Sequence, residues 1–200
     1  MRDIRALYAF NFLKSLQFFG AVAVPFYTHR VGMGYAQMFT LEMIFSAAMM
    51  ALEIPTGIVA DRWGRKISLV LGSGFLAAGF LMFGIFRSFA LLAAGELVCA
   101  VGMTLVSGAD KALLYEVAKR SAKAQAGRPG QDAATIFSRY EAAGTAGLFI
   151  SFPLGSLFAG SGIVPYNAAL GLVFVFTAAA LALSGLAMLS VAETLSAESR

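Results

Sequence analysis

The chain has 200 residues, of which 59% are apolar and only 13% are charged, and its formal net charge is +4. A soluble domain of this length needs more charged residues to cover its surface, so the composition excludes an ordinary globular protein and indicates a surface that faces lipid. The single cysteine, Cys99, excludes a disulfide framework within the chain and a cysteine-based metal cluster. The single histidine, His29, argues against a histidine-rich metal site.

Apolar runs of membrane-spanning length follow one another along the chain. A bilayer core of about 30 Å requires about 20 mainly apolar residues per helix. Six runs reach this length: about Ile4 to Thr28, Tyr35 to Ala60, Lys66 to Phe86, Phe89 to Ala118, Ile136 to Ala159 and Val164 to Val191. The first run contains Asn11, Lys14 and Gln17, so it is predicted to be a spanning helix rather than a cleavable signal sequence.

The basic residues are distributed unevenly between the two predicted sides of the membrane. If the N-terminus is cytoplasmic, the outer side receives only Arg30 and Arg87. The cytoplasmic side then receives Arg2, Arg5, Arg62, Arg65, Lys66, Lys119, Arg120, Lys123 and Arg128. Because cytoplasmic loops of membrane proteins carry an excess of lysine and arginine, this asymmetry predicts that both termini are cytoplasmic. The positive charge therefore does not require nucleic acid as a partner.

The connection between the second and third runs carries the most specific motif. It reads Gly57-Ile58-Val59-Ala60-Asp61-Arg62-Trp63-Gly64-Arg65-Lys66. This segment resembles the signature G-x-x-x-D-[RK]-x-G-R-[RK] of the major facilitator superfamily (MFS) of transporters at every defined position. It also lies in the loop where that family carries the signature. In number of runs and in loop lengths, the whole chain is similar to the N-terminal half of an MFS transporter.

The resemblance implies an all-α integral membrane protein with a six-helix transmembrane bundle of the MFS half-transporter type. Residues 1–200 would form one domain built from two three-helix repeats, about 1–87 and 88–200. The residues before the motif, Glu53-Ile54-Pro55-Thr56, resemble those of many bacterial members. The implied location is therefore the bacterial inner membrane.

The motif also implies a gate. In MFS proteins it is thought to latch the two halves of the transporter in the outward-open state. By resemblance this role falls to Gly57, Asp61, Arg62, Gly64, Arg65 and Lys66, with Glu116 as a partner for Arg65. Gly64 permits a tight turn, and Asp61 at the membrane edge can face the positive end of a neighbouring helix. The alternative is a turn that serves only to fix topology.

A complete MFS transporter has two six-helix halves with the substrate site between them. An even number of spans gives two copies of this chain the same orientation, so a homodimer could rebuild the complete architecture. Asp61 of one copy would then face the start of the fifth run, near Thr135 and Ile136, of the other. The alternative is an excised half-domain.

Charged residues inside apolar runs are costly and indicate functional sites. Asn11, Lys14 and Phe18 share one helical face, with Gln17 nearby, and this face resembles the cavity-lining stripe of MFS proteins. The predicted contacts to substrate or coupling ion are Asn11, Lys14, Gln17, Phe18, Asp110, Lys111 and Arg139. For Lys14 the alternative is that its side chain reaches toward the cytoplasm. For Arg139 the alternative is a fixed ion pair with Asp110 or Glu116 that joins two helices.

Three further acids lie within the runs. Each of Glu42, Glu53 and Glu96 could carry a proton, and the sequence does not rank Glu42 against Glu96. Glu53 precedes Pro55 close to the motif, and its role is interpreted as mainly structural.

The function predicted from these features is secondary active transport of a small molecule by alternating access, carried out by a homodimer. A sugar, an organic ion or a drug-like molecule fits the mixed polar residues, and protons are a candidate coupling ion. No cofactor or metal is expected. No nucleophile–base set is evident, and Gly72-Ser73-Gly74 lies in an apolar run where no nucleotide loop is expected, so an enzyme is not predicted. The alternative is a non-transporting half-domain, either a fragment or an assembly or regulatory subunit.

Overall fold

The computed structural model describes residues 2–124 and 133–191, and within these ranges the chain is helical and contains no strand. Its α-helices are α1 (Arg2–Lys14), α2 (Ala23–Pro25), α3 (Tyr35–Trp63), α4 (Arg65–Ile85), α5 (Phe89–Ser107), α6 (Asp110–Ala124), α7 (Ala133–Gly160) and α8 (Tyr166–Leu189). The charged segment around Arg128 lies outside the described residues.

Five helical segments are long and apolar enough to cross a membrane. They are α3, α4, α7, α8 and the segment Phe89–Ser121, in which α5 continues into α6 through a turn at Gly108 and Ala109. These segments correspond to the second to sixth apolar runs. In its described residues the chain is thus helical, with five segments long and apolar enough to span a membrane, as five of the six apolar runs predicted.

The first apolar run differs from the prediction of one continuous helix from Ile4 to Thr28, which is wrong. Helix α1 ends at Lys14, and residues 15–19 are not helical. A 3₁₀ turn, Gly20–Val22, then leads into α2 and a π-helical segment, Phe26–Val31. Pro25 contributes to this irregularity because it has no N–H with which to continue a regular helical ladder.

The helices pack in a defined order of neighbours. The most extensive contacts join α4 to α8 and to α5, and further contacts join α5 to α3, α8 to α1 and α1 to α7. In terms of apolar runs, the order across the bundle is second, fourth, third, sixth, first, fifth. The order is symmetric between the two halves of the chain. If run one is exchanged with run four, two with five and three with six, the same order is obtained when it is read from the opposite end.

The helices at the two ends of this order expose large apolar side chains. On α3 the most exposed are Phe39, Met50 and Ile54, and on α7 they are Phe149 and Leu157. Residues of α4, α5 and α8 supply much of the buried core. The most exposed large apolar side chains of the described helices therefore lie on these two outer helices, while α8 also exposes Leu183, Leu186 and Leu189.

Helices α4 and α5 approach each other backbone to backbone. A Cβ atom added at Gly72 would lie 2.8 Å from the carbonyl oxygen of Gly102, and one added at Gly102 would lie 2.7 Å from the carbonyl oxygen of Gly72. Small residues at such crossings let membrane helices gain close van der Waals contact. The pair Gly72 and Gly102 therefore sets the separation of the two helices.

Replacement of Gly72 by leucine is expected to destabilise the bundle by about 1–3 kcal/mol, because the new side chain must displace backbone rather than a flexible side chain. The matched control is Gly74→Leu on the same helix, since a Cβ atom there meets nothing within 4 Å. Thermal unfolding in detergent measures both variants. Equal melting temperatures for the two would contradict the close approach of α4 and α5.

Candidate functional site

The signature loop is reduced to one residue between α3 and α4. Gly64 has φ 96° and ψ 148°, a conformation that side chains rarely adopt, which confirms the predicted tight turn. The next residue, Arg65, donates a hydrogen bond from Nη1 to the carboxylate of Glu116 at 2.5 Å and another to the carbonyl of Ala112 at 3.1 Å. The predicted contact between Arg65 and Glu116 is therefore present, and it ties α4 to α6.

A second basic residue of the loop reaches the end of α8. The Nζ atom of Lys66 donates hydrogen bonds to the carbonyls of Leu189 at 3.0 Å and Val191 at 2.7 Å. A cation is favourable at the C-terminus of a helix, where carbonyls have no partner within the helix. Asp61 and Arg62, in contrast, are exposed.

A buried polar network joins α1, α6 and α7. Lys14 Nζ lies 3.0 Å from Oδ2 of Asp110, which also accepts a hydrogen bond from the hydroxyl of Tyr140 at 3.4 Å. The other carboxylate oxygen of Asp110 accepts the backbone N–H of Lys111 at 2.6 Å. Asn11 Nδ2 donates to the carbonyl of Tyr140 at 2.7 Å. Three of the predicted substrate residues, Asn11, Lys14 and Asp110, thus meet in one network.

The side chains of the other four predicted substrate residues, Gln17, Phe18, Lys111 and Arg139, make no hydrogen bond to this network among the described residues. Lys111 is exposed and pairs with Glu141 at 3.3 Å, and Arg139 is exposed. The ring of Phe18 packs edge-on against Phe176, with 6.1 Å between their centroids. The pairs described for Asp110 and Glu116 involve Lys14 and Arg65 rather than Arg139.

The break in the first apolar run is held by hydroxyl groups of neighbouring helices. The backbone N–H of Gln17 donates to Oγ of Ser151 at 3.0 Å, and the N–H of Phe18 donates to Oγ1 of Thr177 at 3.1 Å. Without Thr177 the N–H of Phe18 would lack a partner, and such a group costs several kcal/mol in a bilayer. The N–H of Gln17 also lies 2.9 Å from the carbonyl oxygen of Ser15. The hydroxyls on α7 and α8 therefore make the interruption stable.

A cavity of about 360 Å³ lies beside the break. We call it the acidic cavity because two carboxylates, those of Glu42 and Glu96, line it. Its other polar lining residues include Lys14, Ser15, Gln17, Tyr27 and Thr177. A volume of this size lies within the range of small-molecule sites in proteins.

The apolar wall of the acidic cavity is largely aromatic. Phe174 of α8 lies at its centre and stacks against Phe83 of α4, with 5.7 Å between the ring centroids and 14° between the ring planes. Phe19 at the end of the break lies 5.0 Å from Phe174 and 5.0 Å from Phe80. All four rings line the cavity, together with Phe45 of α3.

The two carboxylates of the cavity differ in exposure. Glu96 on α5 is only 8% exposed, whereas Glu42 on α3 is exposed. Among the described residues, neither carboxylate has a hydrogen-bond or ion-pair partner within the chain. Sequence reasoning noted both acids but did not bring them together, because nothing in one sequence indicates that α3 and α5 are neighbours.

Comparison of the chain with models of protein families and with curated proteins finds no match. The described part of the chain is helical, and its long apolar helices surround a cavity with polar and aromatic walls.

Replacement of Thr177 by valine is expected to destabilise the protein by about 1–3 kcal/mol, because it leaves the N–H of Phe18 buried without an acceptor. The matched control is Thr104→Val, a buried threonine whose hydroxyl bonds only to carbonyls of its own helix. Hydrogen exchange of the segment 15–22, measured by mass spectrometry, should accelerate only in Thr177→Val. Equal exchange in both variants would contradict the role of Thr177.

Proposed function

We propose that the chain is an integral membrane transport protein of the MFS half-transporter type, which moves a small molecule by alternating access as a homodimer. The observation that carries the proposal is the acidic cavity beside an interrupted apolar segment. Irregular backbone at membrane depth is tolerated where it is buried in protein or lines a cavity. Many secondary transporters form their substrate sites from helices interrupted in this way.

The interrupted segment supplies the sixth span in this proposal. Residues 2–31 would cross the membrane as α1, the break and the irregular turns that follow. With the five continuous spans this makes an even number, so both termini lie on one side, and the basic residues favour the cytoplasm. The symmetric order of helix neighbours supports the two three-helix repeats.

The exposed outer helices favour a second copy as the partner. In addition to its apolar side chains, α3 exposes Glu53, an acid that is costly against lipid. A partner bundle or a water-filled space between two bundles would relieve that cost. In a parallel dimer the exposed carboxylate of Asp61 would reach the start of α7, near Thr135 and Ile136, of the other copy. The Arg65–Glu116 pair would then hold the turn at Gly64 in position.

The network around Lys14 and Asp110 gives the transport proposal its second polar element. A buried pair of this kind is sensitive to the loss of either member, because the remaining charge is left without compensation. Substrate or proton entry that disturbs the pair would therefore be coupled to α1, α6 and α7. A sugar, an organic ion or a drug-like molecule remains a candidate substrate, with protons as the candidate coupling ion.

The second candidate function is a non-transporting membrane module that binds a partner half. Access to the cavity separates the two. We expect Ser15→Cys, placed in a Cys99→Ala background, to react with a membrane-impermeant maleimide from both sides of the membrane, because alternating access opens the cavity to each side in turn. Right-side-out and inside-out vesicles provide the measurement. Ser15 is chosen because it lines the cavity.

The matched controls are Ser88→Cys and Lys119→Cys, two exposed positions on opposite predicted sides. Each should react from one side only, which verifies the sealing of the vesicles and the orientation of the chain. Reaction of Ser15→Cys from a single side only, with both controls behaving as expected, would favour the non-transporting module.

Self-association is the second test. Native mass spectrometry from lipid nanodiscs is expected to find twice the mass of one chain, because one bundle leaves the outward faces of α3 and α7 exposed. Asp61→Asn should reduce the dimer fraction if Asp61 contributes to the contact between copies. A strict monomer across lipids and concentrations would contradict the homodimer.

A further inference from the structure

We propose that the acidic cavity binds an organic monovalent cation with an apolar body, such as a quaternary ammonium ion. The transport of such an ion rests on the function proposed above, whereas its binding can be tested separately. The inference follows from three properties of the cavity: its charge, its aromatic wall and its size.

The cavity contains two acidic side chains that take part in no internal ion pair among the described residues. Lys14 reaches the cavity wall, but its ammonium lies 3.0 Å from the carboxylate of Asp110 and is compensated there. Glu42 and Glu96 have no such partner among the described residues. Burial of an uncompensated carboxylate is strongly unfavourable. Glu96, at 8% exposure, would therefore be stabilised by a cation that enters the cavity.

The aromatic wall supports a cation that carries apolar groups. Phe19, Phe80, Phe83 and Phe174 form one continuous cluster and all line the same cavity as Glu96. Aromatic faces attract cations and are used to recognise quaternary ammonium groups. A bare divalent metal ion would instead require a shell of oxygen ligands, which phenyl rings do not provide.

The same wall disfavours the other candidate ligands. A sugar needs polar groups around most of its surface, whereas the phenyl rings of Phe19, Phe80, Phe83 and Phe174 offer no hydrogen-bond donors or acceptors. An organic anion would meet two carboxylates and only one ammonium, which is already paired. A volume of about 360 Å³ accommodates a cation with one aromatic ring or several alkyl groups.

The test uses the full chain in lipid nanodiscs, with benzyltrimethylammonium as the probe and isothermal titration calorimetry as the measurement. Neopentylbenzene, which has the same shape without the charge, is the matched neutral ligand, and empty nanodiscs provide the blank. We expect saturable binding of the cation and at least about tenfold weaker binding of the neutral ligand, a ratio that corresponds to about 1.4 kcal/mol. Equal affinity for both ligands would overturn the proposal, since an apolar pocket alone would explain it.

Substitutions of the acidic residues test whether the cation binds in the acidic cavity. Glu96→Gln should weaken binding of benzyltrimethylammonium by about tenfold or more. Glu42→Gln should also weaken it and serves as the second variant if Glu96→Gln does not fold. The matched control is Glu53→Gln, an exposed acid on α3 that is not among the residues lining the cavity, and its affinity should equal that of the unmodified chain. An unchanged affinity in both cavity variants would overturn the proposal.

The two experiments can contradict the binding proposal and the transport proposal independently of each other. Saturable, Glu96-dependent binding with cavity access from one side only would retain the cation site and remove the transport function. Access from both sides without cation binding would retain transport and overturn the cation as substrate.

Discussion

The requirement that backbone N–H groups find partners at membrane depth governs this structure. The first apolar run breaks after Lys14, and two of the freed donors are accepted by the hydroxyls of Ser151 and Thr177. These hydroxyls come from α7 and α8, so the packing of both helices against the break stabilises it. The wall of the acidic cavity is partly built from this break. A small number of hydrogen bonds thus connects the packing of the bundle to the geometry of its site.

The buried acidic side chains of this structure are of two kinds, those with partners and those without. Asp110 is buried, but its oxygens are engaged by Lys14, Tyr140 and its own helix start, so the charge is compensated. Glu96 is nearly as buried and has no comparable partner among the described residues. The first arrangement fixes helices to one another, as a satisfied buried network does. The second leaves an acid without a partner, and for that reason the proposed cation site is assigned to Glu96 rather than to the paired residues.

The sequence predicted the features that depend on local pattern. Five of the six apolar runs have helical bounds close to those expected, and the turn at Gly64 and the pairing of Arg65 with Glu116 were also foreseen. The break after Lys14 could not be predicted, because apolar residues continue through it and its stability depends on hydroxyls more than 130 positions away in the chain. The assembly of Glu42, Glu96 and four phenylalanines depends in the same way on helix contacts that no local pattern encodes.

The direct contact between α4 and α5 has a mechanical consequence. Because the backbones touch at Gly72 and Gly102, neither helix can slide along the other without a steric clash. Shear between packed helices, one of the common modes of conformational change, is therefore blocked at the centre of the bundle. A motion that displaces α4 is therefore expected to carry α5 with it as one rigid body, with the displacement absorbed at the edges of the bundle.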